Sequence, residues 1–345
     1  MNEQGMLYGV PKVAYGQEGC TPYPMCLRSC GQYLGLDVDY ARIMAESGAA
    51  FRLTWNTAEW DGGNVDAVFA FDDPEKMFAC GMRALGRGCR ILKRTQETAK
   101  GEFLTLIRRE IDAGNPVIGL GIIGPPEACV IAGYQGEALL GWNVFQEYPE
   151  NRAAVSFAEN GYFITSAWWE NPDTIGLIAM DGDAAPLTLR EVLQNAVEVL
   201  TGRMDGTHAK GVAAYDAWKA ALLSDREFPA GAVLPLLVER MMCHGDAMDC
   251  LSDGRHNAAK YLHAMAEQHP AHAEGLNAVA KAFEDVSEIL WQEMVPMLGG
   301  WERGEKQIRR LAEPEVRRAF AGMIDRMKNC DERAMKRMQE ILFAL

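Results

Sequence analysis

The sequence predicts an α+β chain: helices first, then a strand meander, then a helical remainder. Three observations carry this. Pro116 to Ile122 is apolar on both parities, the pattern of a strand covered on both faces. Two more apolar segments, 128–134 and 138–145, follow it across the short turns Gly124-Pro125-Pro126-Glu127 and Gln135-Gly136. Strands joined by such short turns are antiparallel, and early helices followed by a meander fit α+β rather than a doubly wound sheet. Past Asp181-Gly182-Asp183 the apolar residues recur at helical spacing, which puts a domain boundary between residues 182 and 183.

Taken in order, Val10 to Tyr15 reads as an entry strand. A helix runs from Pro22 to Gly35, and a second starts near Asp39 with Tyr40, Ile43 and Met44 on one face. Ala49 to Trp55 is strand-like and leads into a loop through Trp60, Gly62, Gly63 and Asn64. Asp73-Pro74 opens a helix that ends at Gly86. Cys89 to Leu92 is strand-like, and Ala99 to Ala113 is an amphipathic helix closed by Gly114. After the three central strands come strands at Gly161 to Thr165 and Thr174 to Met180. The second half predicts helices at 188–201, 208–223, 232–243, 255–267 and 276–294, with two more between residues 305 and 345.

Composition sets the outer bounds. The chain has 345 residues, 48% apolar and 24% charged, with a formal charge of −14. That balance is globular, and it argues against a nucleic-acid surface, which needs a basic stripe. No apolar run approaches a membrane span, and Met1 to Tyr8 lacks the basic start and apolar stretch of a secretory signal. Nine cysteines, odd in number and dispersed, fit reduced thiols in a cytoplasm better than a disulfide framework. No cysteine pair has zinc-finger spacing. Gly119-x-Gly121 lies within a strand with no helix after it, so no nucleotide motif and no cofactor is indicated.

The stretch from Gly19 to Gly35 holds the clearest chemistry. Thr21 is a good N-cap, and Pro22 suits the first helical position. Leu27, Cys30 and Leu34 recur at helical spacing. Cys20 therefore stands just ahead of a helix N-terminus, where unpaired amides and the helix dipole favour a thiolate.

Several short elements then recur in a recognisable order. The Cys20 helix ends in Tyr33-Leu34-Gly35, and Gly48-Ala49-Ala50-Phe51 follows. Pro116-Val117-Ile118 starts one strand, and Val130-Ile131-Ala132-Gly133-Tyr134 forms the next. This order resembles the papain-like fold of the double-glycine bacteriocin-processing cysteine peptidases. Over residues 8–180 it is more similar to the N-terminal domain of the butirosin-biosynthesis protein H family of acyltransferases. The resemblance implies a papain-like domain at 1–182, an all-helical domain at 183–345, and Cys20 as the nucleophile of a cysteine hydrolase or acyltransferase. Its substrate would be a small molecule or an acyl carrier, held as an amide, ester or thioester.

The family pattern puts a histidine where this chain has Glu127, and Asn143 matches the group that orients it. All six histidines come later, from His208 onward. Thiol catalysis needs a group that takes the thiol proton and returns it to the leaving group. Three readings stand. Cys20, Glu127 and Asn143 form an unusual acyl-transfer site; His208, His244 or His256 completes the site from the helical half; or the fold is kept without the chemistry, as a ligand-binding protein. In the first, amides of the helix start would form the oxyanion hole. Two clusters are candidate substrate-binding surfaces: Trp55, Asn56, Trp60, Asp61 and Asn64 in the Gly-bearing loop, and Trp142 and Gln146 at the end of the meander.

Overall fold

A computed structural model describes residues 3–16, 19–62, 68 and 70–345. It is an α+β protein. Its contacts fall into two compact units, one of residues 1–43 with 78–186, the other of residues 44–77 with 187–345. The segment that carries Trp55 and Trp60 thus belongs with the helical half.

In the first unit, β1 (Gln4–Met6) is followed by α1 (Pro22–Tyr33), and the division falls within α2 (Tyr40–Glu46). Val10 to Tyr15 is not a strand. The Val10 N–H donates to the Tyr162 hydroxyl (3.1 Å) and its carbonyl accepts from Trp142 Nε1 (2.8 Å), so side chains take the groups that a strand partner would use. Helix α1 stops as the sequence predicts. Gly35 has φ +71°, and the Leu36 N–H turns back to the Gly31 carbonyl at 3.0 Å, a Schellman-type close.

One short strand, β2 (Thr54–Asn56), belongs to the second unit. The first unit resumes within α3 (Pro74–Ala84) and continues through β3 (Arg87–Lys93), α4 (Lys100–Asp112), β4 (Val117–Leu120), β5 (Ala128–Gln135), β6 (Ala138–Trp142), β7 (Ser156–Phe157), β8 (Phe163–Thr165) and β9 (Gly176–Asp183). These strands form an eight-stranded sheet in the order β3-β9-β4-β5-β6-β8-β7, with β1 paired to β5, and every pairing is antiparallel. Strand β5 is buried from Ala128 to Tyr134, with α1 and α4 packed against it, which explains why its sequence is apolar on both parities.

The second unit holds α5 (Leu189–Leu200), β10 (Arg203–Asp205), β11 (His208–Lys210), α6 (Val212–Leu223), α7 (Leu234–Gln268), α8 (Ala273–Ile289), α9 (Val295–Leu298), α10 (Glu305–Leu311) and α11 (Pro314–Ala344). A π-turn, Leu290–Met294, carries α8 into α9. Three expectations are corrected here. His208 opens no helix: the tight turn at Gly206 (φ +57°) makes β10 and β11 a hairpin, and β11 pairs with β2. Ala49 to Phe51 is a 3₁₀ turn, because the Ala50 and Arg52 carbonyls accept from Arg255 Nη1 at 2.8 and 3.1 Å. The expected helices 232–243 and 255–267 are one helix of 35 residues, α7.

That last difference has a packing cause. A Cβ on Gly245 would lie 2.5 Å from Arg303 Nε, and one on Gly254 would lie 2.6 Å from the Ala50 carbonyl oxygen. Both glycines are sites of close approach, not helix breaks. Beside Gly254, the fully buried Arg255 is gripped by Asp331 (2.6–3.2 Å), which also accepts from the Tyr215 hydroxyl at 2.7 Å. One guanidinium therefore ties α7 to α11 and to the 49–52 segment. Every group in the network is hydrogen-bonded, the condition under which a buried ion pair is tolerated.

Candidate active site

Cys20 is half-buried and stands one residue before Thr21, the N-cap of α1. The chain is tight at this point: a Cβ on Gly19 would fall 2.2 Å from the Tyr40 ring, and the Thr21 N–H donates to the Tyr40 hydroxyl at 3.2 Å. The helix start offers fewer donors than its position suggests. Pro22 and Pro24 carry no N–H, so Tyr23 supplies the only amide hydrogen among the first three helical residues. Within the first three helical residues, the expected oxyanion hole of helix-start amides would draw on Tyr23 alone.

Seven of the nine cysteines are buried; only Cys20 and Cys89 are half-exposed. Burial pushes Cys26 well above its ordinary value, and raises Cys30, Cys129 and Cys243 to about 12. Cys250 and Cys330 move up for the same reason. Such thiols stay protonated and inert at neutral pH.

Glu127 stands half-exposed at the end of the loop that follows β4. This loop is firmly held. Gly121 has φ +74° and sits so close to the Asp173 carbonyl that a side chain would collide at 1.7 Å. The Gly121 carbonyl accepts from Asn171 Nδ2 and Thr174 Oγ1, both at 2.8 Å, and Asn171 Nδ2 also reaches the Gly124 carbonyl at 2.9 Å. The Glu127 carboxylate is close enough to α1 that its charge adds to the upward push on Cys26, behind burial and the neighbouring Cys129 and Cys30 thiols.

Asn143 is buried and committed. Its Nδ2 donates to the Ile123 carbonyl at 3.3 Å, its Oδ1 accepts from the Phe145 N–H at 2.7 Å, and its side chain hydrogen-bonds Cys129. The Gly119 and Ile122 N–H groups also serve the Cys129 sulfur. All three favour a thiolate, and burial outweighs them. Thus Asn143 is bonded to Cys129, while Glu127 acts on Cys26 through its charge alone. The spacing of Cys26 and Cys30, one helical turn apart, reads as a core stripe, and both are buried; Cys129 is read only as part of its strand. Cys129 stands opposite Asn143, one step beyond the Val130–Trp142 pair.

The candidate binding residues fall into different units. In the first, Trp142 donates to the Val10 carbonyl at 2.8 Å, and Gln146 Nε2 to the Gly161 carbonyl at 3.2 Å. In the second, buried Trp55 lies between Trp60 (5.2 Å, edge-on) and Trp218 (6.0 Å, stacked). Trp60 Nε1 donates to Glu227 at 3.0 Å, and Arg240 covers its ring at 4.8 Å. Asn56 Oδ1 accepts from the Ala58 N–H at 3.0 Å. Asn64 lies outside the described residues. These side chains mostly serve their own unit's packing.

All six histidines belong to the second unit. His208 pairs with Asn56 across β11 and β2, and its Nε2 lies 3.8 Å from Asp61 Oδ2. His244 is fully buried, stacked on Phe320 at 5.2 Å, and accepts from Trp218 Nε1 at 3.2 Å. His256 is exposed on α7. Among the described residues, no group of three His, Cys, Asp or Glu side chains is placed to hold a metal, and no helix is long and apolar enough to cross a membrane.

No protein-family model matches this chain, and no curated protein matches it.

Proposed function

We propose that this protein is a cysteine-dependent hydrolase or acyltransferase-like protein of papain-like fold, acting on a small amide, ester or thioester. Cys20 is the nucleophile and Glu127 its proton acceptor. One observation carries the reading: the Glu127 carboxylate is near enough to α1, whose N-terminus Cys20 precedes, for its charge to add to the rise of the Cys26 thiol. In the reaction Glu127 takes the thiol proton and the thiolate adds to the carbonyl carbon. The oxyanion turns to the amide hydrogens around Cys20, with Tyr23 the donor of the first turn. Collapse of the intermediate breaks the bond to the leaving group, which receives the proton from Glu127. Water then releases the acyl group in a hydrolase, and an acceptor nucleophile does so in a transferase.

A second reading, a ligand-binding protein without catalysis, is favoured by the engagement of Asn143 with Cys129, Ile123 and Phe145, which leaves it no base to orient. The pH dependence of Cys20 alkylation by iodoacetamide, followed by peptide mass mapping, separates the two. Labelling near pH ~6.5 favours Cys20 over the other eight cysteines, the half-exposed Cys89 included, if it is activated. Removing a neighbouring negative charge lowers a thiol pKa, so Glu127→Gln shifts the Cys20 profile to lower pH. A profile that the substitution leaves in place removes Glu127 from the site. Ordinary thiol behaviour in both proteins leaves the binding reading.

A further inference from the structure

Strand β3 is an edge of the eight-stranded sheet, paired with β9 alone among the described strands. The Arg94 N–H donates to the Ile175 carbonyl at 2.8 Å, which sets the alternation along the pair. Arg90 and Leu92 share that inward parity, so the Ile91 N–H and C=O turn away from β9 toward the open side. Beside this edge, between β3 and α4, lies a cleft of about 400 Å³. Ile91, Leu92, Leu106 and Thr105 line its floor and wall, with Arg90 and Arg109 on the rim. Glu102 at the mouth is turned back to its own helix start, accepting from the Ala99 N–H at 2.9 Å.

The charge here runs against that of the whole molecule. The chain carries −14, yet this strand and the residue after it hold Arg87, Arg90, Lys93 and Arg94, with Arg109 on α4; Arg87 pairs with Asp183, and Arg94 donates to the Trp169, Asn171 and Thr174 carbonyls. Arg90 is exposed and lies 3.3 Å from the exposed Asp181, and Arg109 pairs with its neighbour Glu110 while half of its side chain stays in solvent. Basic residues on an edge also discourage a second copy from pairing there, since identical edges would set like charges opposite one another. An edge guarded only against aggregation, however, needs no apolar cleft beside it.

We propose that β3 and α4 form a docking groove for an extended acidic segment of a partner protein. The segment adds to the sheet as a strand beside β3, seats an apolar side chain between Leu92 and Leu106, and sets carboxylates against Arg90 and Arg109. Main-chain pairing supplies the affinity in this mode, and the pocket and cations supply the selection.

The test uses the full-length protein and a fluorescein-labelled peptide, Asp-Val-Asp-Leu-Asp-Val-Asp, with a lysine-for-aspartate counterpart as control. The acidic peptide binds with Kd below about 1 mM by anisotropy, and the lysine peptide does not. Affinity falls as salt is raised. Arg90→Glu weakens binding at least ~10-fold, and Ile91→Pro, which removes an outward N–H, abolishes it. Thr105→Trp, which fills the cleft from an exposed helix position, does the same if Ile91→Pro fails to fold. Equal binding of both peptides, acidic binding that survives Arg90→Glu and Thr105→Trp, or none at ~1 mM would each overturn the proposal. So would self-association of the protein through β3 in sedimentation, abolished by Ile91→Pro.

Discussion

His244 shows how one side chain can set a molecule's response to acid. Its Nδ1 accepts the Trp218 N–H, so the neutral ring carries its hydrogen on Nε2, which is buried without a partner among the described residues. Burial, assisted by the positive charge of Arg303, lowers its pKa from 6.5 to about 3. Above pH 6.5 the ring is neutral in both folded and unfolded chains and contributes no pH dependence. As pH falls below that value the unfolded chain takes a proton that the folded one refuses, so stability drops by up to ~1.4 kcal/mol per pH unit until about pH 3. Asp249, raised by burial to about 6, works in the opposite direction over part of this range, so the informative quantity is a difference between proteins. His244→Phe keeps the flat packing on Phe320 and leaves the Trp218 N–H unsatisfied. We expect a loss of about 1–3 kcal/mol at pH 7 and a shallower decline on acidification than in the parent. Urea unfolding at half-unit pH steps measures both; parallel declines would mean that the ring titrates normally.

At the scale of elements, the structure divides what local sequence can reveal from what it cannot. The start and stop of α1, the closure of α3 at Gly86 and the meander from 117 to 142 follow from proline, glycine and periodicity alone, and all three were legible. The 3₁₀ turn at 49–51 was not, because the group that satisfies its carbonyls is Arg255, 205 residues along the chain. Nor was the continuity of α7, since a glycine that breaks a helix and one that lets another chain approach look identical in sequence. Cys20 and Glu127 were legible as candidates; the burial of Asn143 against Cys129 depends on cross-strand register, which periodicity does not fix. The two roles of helical glycine make a test. Gly322, in α11, has open space around its Cβ position, so Gly322→Ala stabilises by about 0.5–1 kcal/mol through helix propensity. Gly254→Ala gains the same propensity but drives a methyl to 2.6 Å from the Ala50 carbonyl oxygen, a backbone atom that cannot swing aside. The steric term wins, and we expect a net loss of about 1–3 kcal/mol. Equal and positive shifts in denaturation midpoint for the two variants would refute the close approach at Gly254.

At the scale of the whole molecule, the instructive feature is the return of residues 44–77 to the unit formed by 187–345. A sequence boundary at 182/183 leaves residues 44–77 with the first half, whereas the core of the second unit includes side chains from that segment. Leu53 and Trp55 are buried in the same cluster as Trp218, Leu251, Phe320 and Ile324. The carbonyls of Ala50 and Arg52 complete the shell of the buried Arg255. A fragment of residues 187–345 therefore loses two large apolar contributions and leaves Arg255 with donors that nothing else in the fragment satisfies. Each fully buried apolar side chain is worth about 1.5–3 kcal/mol, and each unsatisfied buried donor costs about 1–3 kcal/mol. Domain stabilities lie near 5–15 kcal/mol, so the sum removes most or all of the margin. We expect the 187–345 fragment to be helical by circular dichroism yet to melt without a cooperative transition and to bind ANS. Joining residues 44–77 to its N-terminus through a flexible linker should restore a sharp transition. A cooperative melt of the bare fragment, at the temperature of the linked one, would show that the helical half stands alone.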